Sequence, residues 1–135
     1  MLLIDTNVLV DVLQDDPVWS EWSLTQLQAQ SNLHALAINP VIYAKLSLSF
    51  TTMEALDEAL ASMQLKVQPF PKPALFLAGK AFMKYRQQGG PRQHLLPDFM
   101  IGAHAAVKRW GILTRDVRRY RHYFPTVPLI APAAP

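Results

Sequence analysis

The chain of 135 residues contains no cysteine. That absence removes disulfides, thiolate metal ligands and thiol nucleophiles together, and it suits a reducing cytoplasm. Basic side chains are scarce as well: in the first sixty residues Lys45 stands alone against eight acids. Long apolar runs are missing, since none approaches the roughly 18 residues that a membrane helix requires. The opening "MLLIDTNVLV" meets Asp5 after four residues and has no basic segment ahead of it, unlike a secretory signal. These absences predict a cytoplasmic domain with no membrane partner. Half of the residues are hydrophobic, enough for one domain with its own core. That domain is expected over 1–130, with a frayed tail at 131–135.

What is present is divided by charge. Residues 1–60 carry one base and eight acids, whereas residues 61–135 carry twelve bases and two acids, Asp98 and Asp116. The halves therefore stand at −7 and +10, and a nucleic acid is the first candidate partner for the basic one. Arg86 and Arg92 flank the Gly89–Gly90 turn, and Arg115, Arg118 and Arg119 surround Asp116. Phosphate contact is their expected role. Tyr85, Tyr120 and Tyr123 are interleaved with these bases and offer rings for stacking on unpaired bases.

Along the chain, short apolar strands alternate with helical patterns. "LLID", "HALAI", "LKVQPF", "GILTRD" and "VPLIA" read as strands. Between them lie "TNVLVDVLQDD", a helix opened by Pro17 with an apolar stripe of Val18, Trp22, Leu24 and Leu27, and a helix capped by Asn39 ahead of Pro40. Further on come a helix capped by Thr51 or Thr52, a long one stopped at Gly89–Gly90, and a proline-started one at Pro97. This alternation predicts an α/β fold with a central parallel sheet, in which ligands gather beyond the carboxyl ends of the strands. Asp5 and Asp116 close strands, and Asp98 lies in the first turn of a helix. Each alone is an ordinary turn or helix-start acid. Together, three carboxylates drawn to one sheet edge repel one another unless protonated, paired with cations or holding a metal. Oxygen-only ligands favour Mg²⁺ or Mn²⁺, which would activate water and stabilise charge on a phosphate. Thr6, Asn7 and Thr114 adjoin these acids and are placed to orient them. His104 follows Asp98 by six residues and faces away from it, so it reads as structural. His94, in the loop before Asp98, is a candidate for substrate contact.

"LIDTNVLVD", "INPVIYAKLS", "LPDFMIGAHA" and "ILTRDVRRYRHYFP", in this order, resemble a PIN-domain ribonuclease of the VapC toxin type over essentially the whole chain. The resemblance implies an α/β/α fold, metal-dependent RNA cleavage, dimerisation and neutralisation by a small antitoxin. It places Asp5, Asp98 and Asp116 on the family's acidic positions. The fourth acid of that site is normally a glutamate, and its position here is Lys45. Asn39, Pro40 and Tyr43 keep the family's register, so Lys45 is expected to point inward in place of the metal, its ammonium within hydrogen-bonding range of at least one of Asp5 and Asp98. Mg²⁺ or Mn²⁺ binding is then expected to be weak or absent, and cleavage impaired. Two other classes stand beside this one: a non-catalytic PIN protein that holds RNA or an antitoxin, and a DNA nuclease with the same acidic centre. Lys45→Glu is expected to recover metal-dependent cleavage if the scaffold is a nuclease. The segments "PVWSEWSLTQLQ" and "MEALDEALASM" carry more apolar surface than the core needs and are expected to border an antitoxin groove and a homodimer contact.

Overall fold

A computed structural model describes residues 1–90 and 94–133 of the chain. Its centre is a single sheet of five parallel strands, flanked by helices, in the order β3-β2-β1-β4-β5. The strands are β1 (Leu2–Ile4), β2 (Leu36–Ile38), β3 (Lys66–Val67), β4 (Gly111–Leu113) and β5 (Leu129–Ile130). Connections run through α1 (Thr6–Leu13) and α2 (Ser20–Ser31), then α3 (Pro40–Leu46) and α4 (Met53–Ser62). α5 (Lys72–Gln87) and α6 (Leu96–Lys108) join β3 to β4, and the single turn α7 (Arg118–Arg121) joins β4 to β5. All five strands lie where the apolar runs predict them.

β1 is apolar throughout because helices cover the sheet, and Leu2, Leu3 and Ile4 are all buried. Leu3 pairs with Ala37 on one side and Ile112 on the other. From β1 the chain steps outward to β2 and β3, and then returns to β4 on the opposite flank. The reversal of strand order makes a crevice beyond the carboxyl ends of β1 and β4, the switch point where such sheets bind ligands. Asp5 leaves β1 there, and Thr114 leaves β4.

Local chemistry sets most helix ends. Asn39 caps α3 by accepting from the Ile42 N–H at 3.0 Å, and Thr52 caps α4 by accepting from the Ala55 N–H at 3.1 Å. α5 stops at Gly89, whose φ of 73° only glycine adopts freely, and the Gly90 N–H returns to the Tyr85 carbonyl at 3.0 Å. Pro17 does not open α2. The Asp16 carboxylate takes the Val18 and Trp19 N–H groups, both at 2.9 Å, which holds a turn there and delays the helix to Ser20. The apolar stripe expected on α2 is also broken: Leu27 is buried and Trp22 half-buried, but Val18 is 74% exposed and Leu24 44%. α5 and α6 pack along each other through small residues, Ala74, Ala78 and Ala81 on α5, while Gly102 of α6 admits the Phe124 ring. No helix of the described residues is long and apolar enough to cross a membrane.

His104 is fully buried on α6 between the Phe70 and Trp110 rings. The Asn39 amide oxygen is engaged by the Ile42 N–H, so the amide nitrogen faces His104 Nδ1 at 3.3 Å and donates to it. A proton on Nδ1 would confront that donor. Burial, with the nearby Lys108 charge, lowers the His104 pKa from 6.5 to about 4. The unfolded chain therefore binds the extra proton between pH 6.5 and 4, and stability falls as pH drops through that window. The full cost is about 3 kcal/mol at pH 4 and nil above neutrality. In urea unfolding, a His104→Gln variant should lose about 3 kcal/mol less than the unaltered chain between pH 7 and pH 4. Parallel losses in the two proteins would show that His104 does not titrate in this range.

Candidate functional site

The three acids approach the switch point from different elements. Asp5 continues the line of β1, its N–H donating to the Leu113 carbonyl at 2.9 Å, so its carboxylate projects past the sheet edge. Oδ1 accepts from the Thr6 N–H at 2.8 Å and caps α1. Oδ2 accepts from the Thr114 hydroxyl at 2.8 Å, the Tyr120 hydroxyl at 2.7 Å and the Asn7 amide at 3.5 Å. Asp5 is fully buried, and burying a carboxylate is costly unless donors replace its water. Here four do.

Asp98 sits in the first turn of α6, where its Oδ2 accepts from the Leu95 N–H at 2.9 Å. Its Oδ1 accepts from the Lys45 ammonium at 2.8 Å. Burial alone would raise the Asp98 pKa. The Lys45 hydrogen bond, the Leu95 N–H and the charges of Lys45 and Arg119 outweigh it and hold the carboxyl below its usual range. Asp116 follows β4 by three residues, and its N–H donates to Thr114 Oγ1 at 3.0 Å. Its side chain is the most open of the three, at 38%.

Arg119 stands among them. Nη1 lies 3.7 Å from Asp5 Oδ2 and 3.9 Å from Asp98 Oδ1, and Nε lies 3.8 Å from Asp116 Oδ2. One guanidinium thus addresses all three acids. Burial opposes its charge, but Asp5, Tyr120 and Asp98 more than compensate and raise its pKa above the ordinary value. Tyr120 is wholly buried beside it, and burial with the Asp5 charge pushes its phenol well above 10. By sequence, Lys45 is expected within hydrogen-bonding range of at least one of Asp5 and Asp98, and Arg119 on a phosphate-facing surface. In the structure Lys45 pairs with Asp98, and Arg119 takes the middle. The reason is α7, which the sequence pattern did not announce: it carries Arg119 one turn beyond Asp116 and folds it back over the sheet edge.

The remaining expected residues divide in the same way. Asn7 Nδ2 also reaches Thr114 Oγ1 at 3.4 Å, and its Oδ1 accepts from the Arg115 N–H at 3.2 Å, so it stitches α1 to the end of β4. Thr6 Oγ1 is buried without a hydrogen-bond partner. The Arg115 fork closes on Asp11, at 2.6 and 2.9 Å, and lies 4.9 Å over the Trp19 ring. Ser23 donates to the same buried Asp11 at 2.7 Å. Arg86 is exposed and lies 5.9 Å from the Phe82 ring centroid, Arg118 is exposed, and Arg92 falls outside the described residues. Tyr85 and Tyr120 belong to the core rather than to a stacking surface. A cavity of about 100 Å³ opens beside Asp98, bordered by His94, Arg118, Arg119 and Tyr123. Asp11 and the Tyr120 hydroxyl were not foreseen as parts of the site. An acid set in the apolar run "VLVDVL" was the available sign of the first; the second had none.

Mg²⁺ or Mn²⁺ takes oxygen ligands at about 2.0–2.1 Å. The residues present do not fit that group. Asp5 is enclosed by four donors, both Asp98 oxygens are engaged, and Arg119 stands within 4 Å of all three acids. Among the described residues, no three acids or histidines are grouped to hold a metal. A divalent ion about 4 Å from one of these cations would meet repulsion on the order of 8 kcal/mol at an effective dielectric of about 20.

Fold and site together define an α/β domain with an acidic, cation-filled centre at its switch point. The chain belongs to the PIN domain family, whose model matches residues 2–125. No curated protein matches it in sequence. Among solved structures it is similar to VapBC2 from Rickettsia felis bound to a promoter DNA fragment, with a TM-score of 0.73 at 18% identity over 96% of this chain and 97% of that one. It is also similar to a toxin-antitoxin complex from Klebsiella pneumoniae, at 0.71 and 16% over 98% of each chain. DNA-bound VapBC from Salmonella typhimurium gives 0.71 and 17% over 96% of each.

Tyr120→Phe removes one of the four Asp5 donors and keeps the ring. It should lower stability by about 1–3 kcal/mol in urea unfolding, because a buried carboxylate is left short of a partner. An unchanged midpoint would show that the Asp5 cage does not need the phenol.

Proposed function

We propose that this chain is a VapC-type toxin by descent, an endoribonuclease scaffold that still holds RNA and a small antitoxin but cleaves RNA poorly or not at all. One observation carries the reading: Lys45 Nζ lies 2.8 Å from Asp98 Oδ1, a cation in hydrogen-bond contact with an acid of the centre. The PIN fold and the toxin–antitoxin complexes among its structural neighbours support the toxin class. On this reading Asp5, Asp98 and Asp116 are the nuclease acids, Lys45 replaces the fourth, and Mg²⁺ or Mn²⁺ binds weakly or is excluded.

RNA contact falls to the side chains left open. Arg118 at the cavity rim and Arg86 along α5 are exposed to meet phosphate, and Arg92 joins them by sequence. Arg119 also borders the cavity, but its charge is largely answered from within. The antitoxin and a second copy of the chain would use apolar side chains outside the core, Val18 and Leu24 on the α2 side and Met53, 64% exposed, at the start of α4.

The test uses the full chain and a fluorescent single-stranded oligoribonucleotide. Binding should persist in EDTA and weaken steeply with salt, by roughly 0.7 in logarithmic slope per phosphate contact. Arg118→Ala should reduce that slope by about one contact and leave the fold intact. Incubation with Mn²⁺ should give no cleavage above background. Salt-independent binding would overturn the RNA reading, and efficient Mn²⁺-dependent cleavage would overturn the impairment. In sedimentation across micromolar concentrations the chain should run as a reversible dimer, and a strictly monomeric profile would remove the homodimer.

A further inference from the structure

We propose that Arg119 is the principal resident cation of the carboxylate centre, so that metal is excluded twice and Lys45→Glu alone does not restore a metal site. This rests on reading Asp5, Asp98 and Asp116 as the acids of the proposed nuclease centre, and it is independent of whether the chain binds RNA.

The two cations are not equivalent. Lys45 contacts one oxygen of one acid, Asp98, from the side of α3. Arg119 stands 3.7, 3.9 and 3.8 Å from oxygens of Asp5, Asp98 and Asp116. A metal bridging those acids would need the space the guanidinium fills. Exchanging Lys45 for an acid removes a charge from the margin of the centre and leaves its middle occupied.

Arg119 is also held where it is. The next residue, Tyr120, is fully buried and donates to Asp5 at 2.7 Å, which fixes α7 against the sheet edge. The chain enters α7 from Asp116, whose N–H is tied to Thr114. These contacts flank Arg119 in sequence, at Asp116 and Tyr120, and hold its backbone against the sheet edge. The guanidinium's separations from the acids exceed hydrogen-bond length, and its buried Nε has no hydrogen-bond partner. One side-chain hydrogen bond with Tyr120 and the charge of the acids keep it there. A neutral side chain of similar volume should therefore keep the packing and release the acids.

The experiment is calorimetric titration of full chains with Mn²⁺ alone, in the absence of RNA. The unaltered chain and Lys45→Glu should both bind weakly. Lys45→Glu combined with Arg119→Gln should bind saturably, at least about tenfold more tightly than Lys45→Glu alone, since a positive charge beside the ion has been removed. Its melting temperature should also rise with Mn²⁺, because a ligand that binds only the folded form stabilises it. Lys45→Glu combined with Arg119→Lys, which returns the charge, should bind as weakly as the single variant. Circular dichroism establishes that each variant is folded, and Arg119→Met replaces Arg119→Gln should that pair fail to fold. Binding by Lys45→Glu within about threefold of the double variant would overturn the proposal, as would a folded double variant whose melting does not respond to Mn²⁺. Failure of RNA binding leaves this result standing, and failure here leaves RNA binding standing.

Discussion

The buried carboxylate of Asp5 is the point on which the candidate site depends. Its partners come from three places: Thr6 and Asn7 at the start of α1, Thr114 at the end of β4 and Tyr120 in α7. Since β1 and β4 are neighbours at the switch point, the cage ties the carboxyl ends of the two strands together on the ligand side of the sheet. It also gives α7 its place. A single helical turn has almost no stability of its own, because nucleation costs more than one turn of hydrogen bonds returns. Tyr120 in the core and its bond to Asp5 supply what the turn lacks, and the position of Arg119 follows from them.

The division of charge along the sequence takes on a second meaning in the folded chain. Among the described residues, three contacts pair the acidic half with the basic half: Arg119 with Asp5, Arg115 with Asp11, and Lys45 with Asp98, where each half lends its minority charge. The separation between −7 and +10 is thus partly an internal complementarity that brings distant segments together, and only the remainder is available to a partner. Arg115 illustrates the difference. Its fork, its stacking on Trp19 and the Ser23 hydroxyl bind α1, α2 and the segment after β4 into one unit. Truncating such a residue would act first on the fold, so a loss of RNA affinity there would say little about phosphate contact. Arg118, exposed at the cavity rim, has no such confounding role.

What could be read from the sequence was what local chemistry decides. Asn39 and Thr52 cap helices because a side-chain oxygen three residues ahead of a free N–H has a partner within one turn. β1, β2 and β4 show as apolar runs because helices cover their faces, whereas the edge strand β3 is exposed. The start of α2 failed for an equally local reason: Asp16 outcompeted Pro17 by binding the two N–H groups that follow. The cations at the site were only half legible. That Lys45 reaches one of the acids is implied by the resemblance to PIN-domain toxins, whose register Asn39, Pro40 and Tyr43 keep. That Arg119 meets three acids is not, because two of them lie more than 20 residues away and the turn presenting it is too short for a periodic signal. Contacts across such separations leave no mark in composition or spacing.

On the proposed function, the arrangement bears on how a nuclease scaffold would tolerate loss of its chemistry. Carboxylates gathered to hold a metal are mutually repulsive without it, and a fold that keeps them must find counter-charge from a bound ion, from protons or from its own side chains. Supplying that charge internally would make the sheet edge independent of metal concentration, and would fill the space in which a metal could act. Stability and activity then draw on the same few cubic ångströms. A chain with Lys45 as its only inner cation would hold a site one substitution away from a complete acidic set. With Arg119 seated among Asp5, Asp98 and Asp116, it keeps the acids and the crevice around a centre whose charge is already answered.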